Sequence, residues 1–326
     1  MQKRYAVIEF GTRGLRLLVA DASPAGISQV VYSTGGLGAL GRSLDADGNL
    51  SLEAIASARA QAEAYVRSAS EQGAEQISAF ATQAVRAARN QADFLAALEP
   101  VCAVQVLDME QEAVLSFLAT VEAFHHTLRP GEMALVIDQG GGSLELACGG
   151  LHAEGTVVLR GYDSLQLGTV ELTRQFAQAD SLREGFERAA QLVQAELSHH
   201  VPFPSLVGSP PAQVYGLGSA ITTLAQRLPG GEPGRKSLKW LHGRFIPRET
   251  IGELIQRTDR ELDTPKGKLG ERVGVDGDLS TLLGGMLSYH YILEKYKARG
   301  ITVNRHGLRY GVLLAQAGFP YQIELG

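Results

Sequence analysis

Residues 6–20 read AVIEFGTRGLRLLVA, and residues 135–149 read LVIDQGGGSLELACG. An offset of 129 positions, the distance from Ala6 to Leu135, lays Val7 on Val136, Ile8 on Ile137 and Gly11 on Gly140. The same offset lays Leu15 on Leu144 and Leu17 on Leu146, and an acid, Glu9 or Asp138, stands two positions before the glycine in both copies. Each copy reads as apolar strand, acid, any residue, glycine, small or polar turn, second strand. That is a β-hairpin whose turn carries the polar chemistry. A short match can arise by chance in a strand-rich chain; the placement, once near the start of each half, speaks for duplication. Two homologous halves would face one another across a cleft with a hairpin turn on each side.

Working outward, the chain has 326 residues, room for two domains with their own cores. Strands are expected at 5–9, 15–20, 27–32, 76–81 and 104–107, then at 133–138, 143–148, 156–160, 213–216 and 301–304. Helical spacing of apolar residues marks 52–72, with Ser51 and Glu53 at its start, and 110–127. Further helices are expected after Thr82, at 169–177, 182–199, from 220, at 279–298 and at 307–317. Pro202 to Pro211 reads as a surface connection and 229–236 as a loop. The expected fold class is α/β, two duplicated αβ domains flanking a cleft.

Thirty basic against 35 acidic residues leave a net charge of −5, which argues against a dedicated nucleic-acid binder but not against a locally basic groove. Two cysteines, Cys102 and Cys148, are too few for a disulfide framework and lack metal-ligand spacing, so they read as reduced thiols. Glu9 interrupts any signal-type apolar run, and no run approaches a membrane span. No membrane or nucleic-acid partner is therefore expected, and the cytoplasm is the expected compartment. A homodimer is a base-rate expectation.

Asp138-Gln139-Gly140-Gly141-Gly142-Ser143 follows a strand. Consecutive glycines let backbone N–H groups approach an anion. Asp138 and Glu145 cannot bind phosphate directly, but they make sense with a divalent cation between them and the phosphate, or as water-positioning groups. The alternative is a tight hairpin with an exposed acid. Gly216-Leu217-Gly218-Ser219 sits between a strand and a helix, where an anion site and simple helix-start chemistry are equally good explanations. Arg86, just beyond a strand, can grip phosphate bidentately or be a solvated helix arginine. Glu110 and Glu112 stand at a helix start, where the dipole favours acids in any case. Arg235, Lys236, Lys239 and Arg244 form either a basic track for a polyanion or a solvated face.

Taken in order, IEFGTRGLRLLVAD, ATQAVRAARN, VLDMEQEAVLSFLA, VIDQGGGSLEL, YGLGSAITT and GLRYGVLL make the chain resemble the exopolyphosphatase / guanosine pentaphosphate phosphatase family. The resemblance implies two duplicated actin-like (ribonuclease H-like) domains, one of 1–124 with 305–326 and the other of 125–304. It implies hydrolysis of the terminal phosphate of inorganic polyphosphate or guanosine pentaphosphate, assisted by Mg2+ or another divalent cation. Glu112 matches the glutamate that positions or deprotonates the attacking water, and Arg86 the arginine that holds the terminal phosphate. Glu9, Asp138 and Glu145 match metal-binding acids. Thr12, Arg13 and Gly14, with Gly140, Gly141, Gly142, Ser143, Gly216, Gly218 and Ser219, match the phosphate loops.

The departures fall on that site. The family's first turn usually reads Asp-x-Gly-(Ser/Thr)-Asn-Ser; here it is Glu9-Phe10-Gly11-Thr12-Arg13-Gly14, and Arg13 either clamps phosphate or plugs the cleft. Gln83 replaces a small hydroxyl residue, and Ser219-Ala220 replaces Gly-Thr. A divergent hydrolase is the expectation; a weak or inactive sensor of guanosine polyphosphate or polyphosphate is the alternative, and an ATP-binding kinase-like relative a third.

Overall fold

The computed structural model describes residues 1–37, 40–45, 47–228, 239–263 and 279–325. The chain forms two compact units, Met1–Ala123 with His306–Gln322, and Phe124–Arg305 with the chain end from Ile323. The last residues thus join the second unit, whereas the sequence reading gave all of 305–326 to the first.

In the first unit, β1 (Lys3–Phe10), β2 (Gly14–Ser23), β3 (Gly26–Leu37), β4 (Gln76–Ala81) and β5 (Val104–Val106) form one sheet in the order β3-β2-β1-β4-β5. The β1–β2–β3 meander is antiparallel, and β1, β4 and β5 are parallel. The two-residue period of β1 explains its burial. Ala6, Ile8 and Phe10 face Ile55, Ala58, Ala62 and Tyr65 of α1 (Leu52–Glu71) and Phe94 and Leu98 of α3 (Gln91–Leu98). Tyr5 and Val7 go to the other face, with Leu115 and Ala119 of α4 (Met109–Phe124) and Tyr310 and Leu313 of the last helix, α10 (Leu308–Gln316). Helices on both faces make β1 a near-continuous apolar run, broken at Glu9. α1 begins where the sequence places it: Ser51 accepts the Ala54 N–H at 3.1 Å.

The second sheet holds β6 (Met133–Gln139), β7 (Leu144–Leu151), β8 (Val157–Leu165), β9 (Gln213–Leu217), β10 (Phe245–Pro247) and β11 (Gly300–Val303) of the second unit and β12 (Tyr321–Ile323), whose last residue alone belongs to that unit, in the order β10-β11-β9-β6-β7-β8-β12. Around it lie α5 (Thr169–Ala177), α6 (Leu182–His199), α7 (Ser219–Arg227), α8 (Arg248–Glu261) and α9 (Leu279–Lys295). α9 is apolar nearly all round, from Leu279 to Leu293, because it packs against α5, α6, α7 and α8.

The duplication extends to hydrogen-bond register. Glu9 pairs with Arg16 across β1–β2, and Asp138 with Glu145 across β6–β7, the same two positions under the 129-residue offset. The turn bond from Gly11 N–H to Gly14 O recurs as Gly140 N–H to Ser143 O, both 3.0 Å. The register shifts after Val19 in β2 and after its counterpart Cys148 in β7. The stretch β8-β7-β6-β9-β11 therefore repeats β3-β2-β1-β4-β5.

Three elements depart from the sequence expectation. β10 and β12 are three residues long, too short for periodicity to register, and α8 buries only Ile251 and Thr258 in a polar sequence. Pro202 to Pro211 is not wholly a surface connection, since Phe203 and Leu206 are buried in the core. The expected loop at 229–236 lies outside the described residues.

Candidate functional site

In the first unit, Arg86 ends the one-turn helix α2 (Gln83–Arg86), which leaves β4 after Thr82, and Glu112 lies in the first turn of α4, which follows β5. Leu107 N–H donates to Ala81 O at 2.9 Å and holds the two strand ends together. Both side chains thus sit beyond the carboxyl ends of parallel strands, the usual place for polar chemistry in an open α/β sheet. They meet in an ion pair, and Arg86 Nη1 also donates to Leu107 O at 2.6 Å. Asp108 and Gln111 exchange reciprocal hydrogen bonds of 2.8 and 3.0 Å, a capping box that fixes the start of α4. Glu112 is 4 % exposed, whereas Glu110 lies on the exposed side, which separates the two acids left open by spacing.

At the first hairpin Glu9 is buried between two guanidinium groups. Arg16 Nη1 lies 3.4 Å from one carboxylate oxygen and Arg309 Nε 3.2 Å from the other. Arg309 Nη1 donates to Leu17 O at 3.1 Å, and burial depresses its pKa below the usual arginine value while Glu9 opposes that shift. Thr12 is buried, its carbonyl accepting the Gly41 N–H at 2.9 Å. Gly14 closes the turn, and Arg13 is half-buried at its tip. Arg309 was legible only as part of GLRYG; nothing in its spacing pointed to Glu9.

In the second unit the triple-glycine turn is clamped to the start of α5. Thr169 and Val170 N–H donate to the carbonyls of Gly140 and Gly141 at 3.0 and 2.9 Å. A Cβ on Gly168 would lie 2.4 Å from Gly141 O, so glycine is required for that approach. Trans peptide geometry sets each carbonyl opposite the next N–H, so the amides of Gly141 and Gly142 point away from α5. Gly218 closes the other side. It has φ +102°, and a Cβ there would lie 2.2 Å from Gln139 O. The start of α7, with Ser219 as its first residue, is thereby drawn against the end of β6. Gln139, unassigned from sequence, braces the turn: its amide donates to Leu167 O and to Ser288 Oγ on α9, both at 3.0 Å.

Asp138 and Glu145 are direct ladder partners on one sheet face, and Glu145, 4 % exposed, takes a 3.3 Å hydrogen bond from Ser164. The buried Tyr289 phenol, donating to Leu217 O at 2.8 Å, is held well above the usual tyrosine pKa by burial and, secondarily, by the charge of Asp138. Like charges directly opposite in a ladder are destabilising. A hard divalent cation relieves that repulsion, and two carboxylates are what Mg2+ takes beside water and phosphate oxygens. Among the described residues, no group of three or more His, Cys, Asp or Glu is gathered to hold a metal. Of the expected basic track, Arg235 and Lys236 lie outside the described residues. Arg244 is tied to Ala225 O at 2.6 Å and covers the Trp240 ring, so it serves packing. Among the described residues, no helix is long and apolar enough to cross a membrane.

The site residues thus form two groups: Glu9, Thr12, Arg13, Gly14, Arg86 and Glu112 in the first unit, and Asp138, the glycine turn, Glu145, Gly216, Gly218 and Ser219 in the second. The model of the Ppx/GppA phosphatase family matches residues 18–318. Exopolyphosphatase 2 of Mycobacterium tuberculosis H37Rv is 27 % identical over 97 % of this chain and 99 % of its own length. Exopolyphosphatase 1 of Mycobacterium bovis is 31 % identical, covering 95 % of this chain and 87 % of that protein. The crystal structure of the Aquifex aeolicus Ppx/GppA family member superposes with a TM-score of 0.78 at 26 % identity, over 97 % of this chain and 98 % of the other. With its two duplicated sheets and its glycine turn, the chain belongs to the Ppx/GppA phosphatase family of phosphoanhydride hydrolases.

Proposed function

We propose that this protein is an exopolyphosphatase-type enzyme that releases the terminal phosphate of inorganic polyphosphate, with guanosine pentaphosphate as the second substrate to test. The observation that carries the reading is the carboxylate pair Asp138–Glu145 at the mouth of a turn whose amides face outward. A polyanion and a divalent cation are complementary to that pair of features; neither alone explains both.

In this reading the amides of Gly141 and Gly142 and the start of α7 hold phosphate oxygens. Asp138 and Glu145 hold Mg2+, which supplies charge neutralisation on the phosphate when bound. Glu9 is left out of the metal set, because two arginines already satisfy it. Arg86 neutralises charge on the terminal phosphate and keeps Glu112 aligned, and Glu112 orients the attacking water. A polyphosphate leaving group is weakly basic, so no strong general acid is needed. Positioned acid–base assistance is worth about 10²–10⁴-fold. Glu112→Gln should therefore lower kcat by about that factor with little change in KM, in a phosphate-release assay on both substrates with and without Mg2+. A purified wild-type chain that releases phosphate from neither substrate with any divalent cation would sink the reading.

The burial of Glu112 behind Arg86 favours one competitor, a binding sensor in which that pair stays closed. Calorimetry decides: tight binding of polyphosphate or guanosine tetraphosphate without turnover selects the sensor.

A further inference from the structure

Gln139 sets an amide where the packing suits an apolar side chain. It is 1 % exposed, and its ladder partner Leu144 is wholly buried. A Cβ on Gly284 would lie 2.7 Å from Leu172 Cβ on α5, and one on Gly285 2.3 Å from Ala220 Cβ on α7 and 3.0 Å from Gln139 Oε1. The two glycines therefore let α9 close on α5 and α7 around the amide. Nε2 spends its protons on Leu167 O and Ser288 Oγ, and Ser288 in turn donates to Gly284 O at 3.2 Å. Oε1 is buried and has no hydrogen-bond partner among the described residues. A buried carbonyl oxygen without a donor is destabilising, and a partly satisfied polar group is a poor choice for a core on stability grounds. Fold stability alone therefore does not account for this residue.

Its contacts suggest what does. Leu167 stands two residues before Thr169, whose N–H, with that of Val170, donates to the carbonyls of Gly140 and Gly141. The Gln139 side chain adds a third bond between the same two segments. Its main-chain oxygen meets Gly218, the residue that opens α7, and Ser288 fixes the amide to α9. One residue thus touches the supports of the glycine turn, of α5 and of α7.

We infer that Gln139, anchored by Ser288, is a positioning residue for phosphate, setting the spacing between the glycine turn and the start of α7. The inference rests on the proposal that these two features hold phosphate oxygens. Gln139→Met keeps the length and removes the donors; Ser288→Ala removes the anchor. Calorimetry of the full chain with tripolyphosphate and Mg2+ reads binding, and initial rates of phosphate release from polyphosphate read turnover. Each variant should weaken binding and raise KM about three- to tenfold, the scale of one or two hydrogen bonds. Each should leave kcat within about twofold. The double variant should lose no more than either single one, because the pair acts as a unit. In urea, Gln139→Met should unfold near the wild-type midpoint, since the unpaired oxygen leaves with the donors. Should Gln139→Met fail to fold, Ser288→Ala carries the binding test by itself. Wild-type binding in the variants, or losses that add in the double variant, would overturn this inference and leave the functional reading standing. A wild-type chain that binds no tripolyphosphate would overturn both.

Discussion

The two hairpins share turn hydrogen bond, register and bulge, yet their acids have opposite kinds of neighbour across the ladder. In the first, the acid at the end of the inner strand faces Arg16 and also meets Arg309, so its charge is balanced by the protein. In the second, the acid faces Glu145. The first acid is held by two arginines; the second shares its ladder position with another acid, a donor pair of the kind a divalent cation takes. A duplicated backbone thus sets an arginine, Arg16, and an acid, Glu145, at matching positions opposite the hairpin acid.

Substitution at the acid should split these roles, and the largest effect is expected in the second hairpin. Asp138→Asn should cost about 10³-fold in metal-dependent turnover, since it removes charge where metal assistance is worth several kcal/mol. Urea unfolding should show the same variant losing less stability than Glu9→Gln, because Asp138 is only half-buried. A large loss of stability together with activity would erase the contrast. Glu9→Gln should do the reverse. It leaves Arg309 buried without its anion, and breaking a buried pair costs about 3 kcal/mol. That loss should appear in unfolding at any metal concentration.

Gly218 sharpens the comparison from the second unit's side. Gly218→Ala forces a side chain into positive φ and against Gln139 O, at a cost of about 1–3 kcal/mol. Displacing the start of α7 should raise KM for polyphosphate more than it lowers kcat, measured by initial rates. Equal loss in both would place α7 outside phosphate binding.

How much of this was legible follows from the range of each interaction. The offset between Glu9 and Asp138 exposed the duplication because hairpins are local and their pattern is written in consecutive residues. The family resemblance gave Arg86 and Glu112 separate roles, and their ion pair was not expected, since strand order, not spacing, brings them together. Arg309 and Gln139 were missed for the same reason. Arg309 arrives on a helix three hundred positions from Glu9, and Gln139 reads as an interchangeable residue in a glycine turn until α9 is packed on it. β12 was hidden because an edge strand is a property of the assembled sheet. The family resemblance set Glu9 among the metal-binding acids, and the two arginines against it are what no local pattern could show.

The smallest expected effect concerns how the helix behind each hairpin is tied down. In the first unit α1 ends at Gln72, whose carbonyl accepts from Arg4 at 2.8 Å, and Arg4 pairs with Asp21 at 2.7 Å. In the second, α6 ends at His200, buried with Nδ1 2.5 Å from Asp163 and Nε2 2.6 Å from the Tyr296 hydroxyl. Burial lowers the His200 pKa below the ordinary histidine value, with Asp163 opposing. Its unfolded form therefore takes up a proton first, and the stability it contributes is full above about pH 6.5 and falls as pH drops below that. Asp21 is held below the usual carboxylate range by Arg4, so its contribution persists until pH falls past about 4. Hydrogen exchange at pH 7 and pH 5 should show amides near His200 losing protection while those near Gln72 keep theirs. His200→Gln should flatten that pH dependence, because a glutamine at the same cap has no proton to gain. Equal loss at both helix ends would mean that acid acts through a group common to the whole molecule.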